Sequence, residues 1–110
     1  MIDLGGLRDY RTRLDRDKAI YFADWPVAPS VREGAWQVLA GGVDELITLG
    51  PGAAEPEVLA ILRRGVAAFD GIDDAVDKRG REDLCMNLYE IGNLCGIDAA
   101  TEWVESYRKW

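Results

Sequence analysis

Leu4, Leu7, Tyr10 and Leu14 recur at three- and four-residue steps with charged residues between them. That is the spacing of one apolar stripe on a helix, and it predicts a first helix over residues 3–16. Gly5 and Gly6 weaken its first turn. The run Ala19-Ile20-Tyr21-Phe22-Ala23 is apolar throughout, and periodicity does not separate a strand from a buried loop there. Trp25-Pro26 and Ala28-Pro29 then predict an extended connector, because a residue before proline avoids the helical region. Ser30-Val31-Arg32-Glu33 fits a capping box opening the second helix. Its stripe is Val31, Ala35, Val38, Leu39, Gly42, Leu46 and Leu49, running to Gly50. Gly41-Gly42 within it costs about 1 kcal/mol per glycine against alanine. The pair therefore predicts a closely approaching neighbour helix or a kink.

Gly50-Pro51-Gly52 reads as a turn, and the third helix opens at Glu55-Pro56 with proline at the first helical position. Val58, Leu59, Leu62, Val66 and Phe69 form its core face, Arg63-Arg64 its flank and Gly71 its C-terminal cap. Residues 70–77, Asp-Gly-Ile-Asp-Asp-Ala-Val-Asp, carry four acids and no base. Asp77 caps a fourth helix from Lys78 to Cys95, with Leu84, Leu88, Ile91 and Cys95 on one side and Gly96 as its stop. A short last helix begins at Asp98, carries Trp103, Val104 and Tyr107, and ends on Arg108-Lys109, where positive charge suits the helix dipole. Short connections favour antiparallel neighbours. The expected fold is all-α, a compact single-domain bundle of four to five helices over residues 1–110.

Composition narrows the class. A chain of 110 residues with 48% hydrophobic and 30% charged positions is an ordinary globular domain. Its longest apolar runs fall far short of a membrane span. The opening Met-Ile-Asp-Leu-Gly-Gly-Leu-Arg-Asp puts charge where a signal peptide needs an apolar run, so the expected location is the cytoplasm. Cys85 and Cys95, ten residues apart on one helix, stand about 15 Å apart along its axis, too far for a disulfide. Both are expected as reduced, buried thiols.

The chain contains no histidine, which removes the commonest general base and metal ligand together. Ser30 and Ser106 are its only serines, and no nucleophile elbow surrounds either. Gly50-Pro51-Gly52-Ala53-Ala54-Glu55 has a carboxylate where a dinucleotide fingerprint needs its third glycine, and it follows no predicted strand. The acids of 70–77 miss the spacing and central glycine of a calcium loop. Glu82, Asp83 and Glu90 read as helix-surface charges. No catalytic residue, metal site or cofactor is expected.

Thirteen basic against 20 acidic residues give a net charge of −7. This argues against nucleic acid or an anionic membrane as a partner, since phosphates are held by Lys and Arg. It leaves solubility or a surface shaped for a basic partner. Trp36 and Trp103 are expected in the core. Trp25 and Trp110 are either packed over the bundle or exposed as interface anchors.

Arg81-Glu82-Asp83-Leu84-Cys85, then Glu90, then Gly96-Ile97-Asp98, with Trp25-Pro26 upstream, resembles a bacterial family of small acidic helical proteins of unassigned function. The resemblance implies no activity. It places the chain among proteins where toxin-neutralising immunity proteins are common. The leading expectation is an immunity protein blocking a cognate toxin, a nuclease for instance, through Asp73, Asp74 and Asp77 in the acidic loop, Asp44, Glu45, Glu55 and Glu57 around the second turn, and the aromatics Trp25 and Trp110. The alternative is a non-catalytic scaffold, or a protein holding a small apolar ligand in room left by the glycines of the second helix. Pairing of the chain with itself stays open.

Overall fold

The computed structural model describes residues 2–17, 27–71 and 75–110. The 19–23 run, Trp25, Asp73 and Asp74 lie outside the described residues. Five α-helices occur among them: α1 (Leu4–Asp17), α2 (Pro29–Leu49), α3 (Glu55–Ala67), α4 (Lys78–Leu94) and α5 (Trp103–Tyr107). No strand does.

The contacts fix an up-down-up-down arrangement. Asp3 donates its amide to the Leu94 carbonyl at 2.6 Å, and Tyr10 donates its hydroxyl to Asn87, so α1 runs antiparallel to α4. The Trp36 indole donates to the Leu14 carbonyl at 3.1 Å, while Arg11 pairs with Asp44 further along α2, so α1 is antiparallel to α2 as well. α2 and α3 form a hairpin through the 50–54 turn, where Gly50 takes the left-handed φ of 85° that carries the chain out of α2. α5 packs against α3 and α4. The core is continuous and aliphatic, with Leu7, Leu39, Val43, Leu46, Val66 and Val104 as its most enclosed larger side chains. No carboxylate, ammonium or guanidinium group is buried among the described residues.

Several helix ends differ from the sequence expectation. α2 starts at Pro29, not after Ser30: proline sits in the first turn, where a missing amide costs nothing, and the Ala28 carbonyl accepts from Val31 and Arg32 at 2.9 and 3.1 Å. Ser30 therefore lies inside the first turn and makes no capping bond. Pro56 takes the second position of α3, not the first. α3 ends at Ala67 with Ala68 as its cap, ahead of Gly71. The last expected helix is split. Asp98 caps a 3-10 turn over Ala99–Thr101, and Glu102, at a left-handed φ of 52°, breaks the chain before α5.

Gly41 and Gly42 also behave differently from expectation. A Cβ at either position would meet nothing within 4 Å, so no helix approaches closely there. Close approach occurs instead at Gly6, against Leu94, and at Gly92, against Trp103.

Candidate functional site

Among the described residues, the expected acids Asp44, Glu45, Glu55, Glu57 and Asp77 do not converge on one spot. Glu55 and Glu57 stand exposed in the first turn of α3, where negative charge suits the helix dipole. Neither makes an ion pair with a described residue. Asp70 and Asp77 lie beyond the other end of that helix, whose 13 residues span about 20 Å. Asp77 accepts from the Gly80 amide at 2.8 Å, so it is occupied in capping α4.

Asp44 and Glu45 point to different neighbours. Asp44 takes the Arg11 guanidinium at 2.9 Å, which also holds Asp15 and lies over the Trp36 ring, 5.3 Å from its centroid. The bond to Asp15, followed by that to Asp44, raises the Arg11 pKa against the opposing cost of partial burial. Glu45 meets Arg64 of α3 at 3.3 Å, with both side chains half exposed or more. Such a pair contributes about 0–1 kcal/mol and is easily exchanged for another cation.

Trp110 belongs to the interior. It is 9% exposed, donates its indole N–H to the Val66 carbonyl at 2.9 Å, and meets Phe69 edge to face at 5.6 Å. The packed alternative is the one realised, and Trp110 offers no exposed anchor in this arrangement. The thiols of Cys85 and Cys95 are free and buried. Burial pushes the Cys95 thiol up to about 11. It raises Cys85 as well, opposed by the nearby Arg108, whose Nη1 lies 3.0 Å from the sulfur.

The alternative expectation puts apolar room beside the glycines of the second helix, and a narrow apolar cleft does lie at Gly42 where α2, α3 and α4 meet. It is lined by the half-buried Val38, Gly42 and Gly65 and by the buried Ile61, Leu88 and Ile91. The cavity is about 20 Å³, room for one methyl-sized group. Gly42 in the middle of α2 and Gly65 in the last turn of α3 both line it. A Cβ on Gly42 would touch nothing within 4 Å, and one on Gly65 would reach only the Leu88 Cδ2 at 3.8 Å. The stripe position of Gly42 is a signal in the sequence, whereas Gly65 sits one residue before the core residue Val66 and carries none of its own.

One further feature is chemical but closed. The Trp103 indole N–H is buried with no hydrogen-bond partner, its ring packed on Gly92 and edge-on to Tyr89. Among the described residues no group of three or more His, Cys, Asp or Glu could hold a metal ion, and no helix is long and apolar enough to cross a membrane. No family model, curated protein or solved structure matches the chain.

Proposed function

We propose that this protein acts by binding a basic protein partner, as an immunity protein neutralising a cognate bacterial toxin. The observation that carries the reading is the pair Glu55 and Glu57, exposed at one end of the bundle without ion pairs to described residues, on a chain whose net charge is −7. Every described charged side chain reaches the surface, so the charge contributes to the field outside the molecule. A nuclease toxin fits this chemistry, because its phosphate-binding cleft is basic and an acidic face can occupy it with fast, steered association. The resemblance of the Arg81–Cys85 and Gly96–Asp98 segments to small acidic bacterial proteins points the same way.

The test is capture of a partner from the host cell at low and at raised salt. A single stoichiometric basic partner, released as salt rises and inhibited by the added protein, supports the reading. Recovery of the protein alone or only as a homo-oligomer would move the weight to a scaffold. The ligand-binding alternative would require the cleft to open, since it now seats only a methyl-sized group.

A further inference from the structure

We infer that the α2–α3 seam is the docking groove for that basic partner, which inserts an aliphatic side-chain tip between Gly42 and Gly65. The inference rests on the protein-binding reading above and gives it a location. Gly42 lies mid-helix, where it weakens α2 by about 1 kcal/mol against alanine, Gly65 lies in the last turn of α3, and at neither does backbone geometry or a close neighbour demand glycine. Their common effect is the apolar opening itself, whose small size fits the end of an aliphatic side chain and excludes a ring.

Charge selects the partner. Glu45 lies one turn from Gly42 along α2, and Glu57 one turn from Ile61 along α3, so two carboxylates flank the cleft toward the α2–α3 turn. Glu57 has no ion pair with a described residue, and Glu45 holds Arg64 only through an exposed contact at 3.3 Å. An incoming Lys or Arg can take either acid. The complementary surface is therefore an amphipathic segment with aliphatic residues on one face and Lys or Arg beside them, the helix-in-groove mode of recognition.

The probe is a synthetic amphipathic helix of leucine and lysine, compared with a serine–lysine peptide of equal charge and followed by amide NMR shifts. Saturable shifts at Gly42, Ile61 and Gly65 with the leucine peptide alone are expected. Gly42→Leu should fill the cleft and weaken binding about tenfold, the scale of one methylene-sized group in an apolar site. Glu57→Lys should weaken it while leaving the fold intact. A melting curve for Gly42→Leu no lower than that of the parent separates plugging from misfolding, and Gly65→Ala supplies a second, milder obstruction. Absence of binding by the leucine peptide, binding unchanged by both glycine variants, or equal shifts with both peptides would overturn the groove. The broader reading is judged separately: a salt-sensitive partner complex untouched by Gly42→Leu would uphold it while removing this site.

Discussion

The Cβ that Gly92 lacks would stand 2.7 Å from Cζ2 of Trp103, and the same position lies 3.1 Å from the indole nitrogen. α5 therefore seats its one tryptophan directly on the backbone of α4, in a space only glycine leaves. A rigid ring cannot give way by several tenths of an ångström, so Gly92→Ala should destabilise the fold by about 1–3 kcal/mol. Urea denaturation reads this directly. A double-mutant cycle with Trp103→Leu should show strong coupling, and independent, additive effects would contradict the packing described.

Trp110 should matter for stability before it matters for any partner. Its ring contact with Phe69 and its bond to the Val66 carbonyl are interior interactions. Trp110→Ala is expected to cost about 3–5 kcal/mol. A full-stability Trp110→Ala variant with weakened partner binding would instead restore the anchor role.

The cysteines should be inert in the native state. Burial raises both thiols, Cys95 to about 11, so alkylation at mildly alkaline pH should require unfolding. The sign for stability follows. From the ordinary value of 9.0 up to about 11, the unfolded Cys95 releases its proton while the folded one keeps it. Its contribution is thus complete below pH 9 and declines as pH rises toward 11. Denaturation midpoints measured across that window should fall, and Cys95→Ala should flatten part of the decline.

Gly34 and Gly41 lie in α2, where an added Cβ would meet nothing within 4 Å, and neither lines the cleft. Gly34→Ala and Gly41→Ala should each stabilise the protein by about 0.5–1 kcal/mol through helix propensity alone. Thermal melts check this, and partner binding should not change.

The helices are legible in the sequence because their apolar residues recur at helical spacing and their ends carry ordinary signals. Asp77 caps α4, and Gly96 ends it, as the sequence predicts. Where two local signals compete, the sequence pattern misleads: Ser30 has the capping pattern, but Pro29 has the fixed φ and missing amide that start a helix one residue earlier. Glu102 gives no sign of its left-handed backbone, since nothing in its neighbourhood marks a glycine-like position. The candidate site is legible as charge and as the glycine on the apolar stripe of α2. Which acids are committed to Arg11, Arg64 or the α4 cap depends on helix packing, as does the meeting of Gly42 with Gly65 across a seam.

The most direct test of the central claim is titration of the captured basic partner with the parent protein and with the Glu55→Lys/Glu57→Lys variant, at low and raised salt. The account predicts tight binding at low salt, a marked loss as salt rises, and a comparable loss on charge reversal, with inhibition of the partner lost in parallel. Binding and inhibition indifferent to both salt and charge reversal would contradict it.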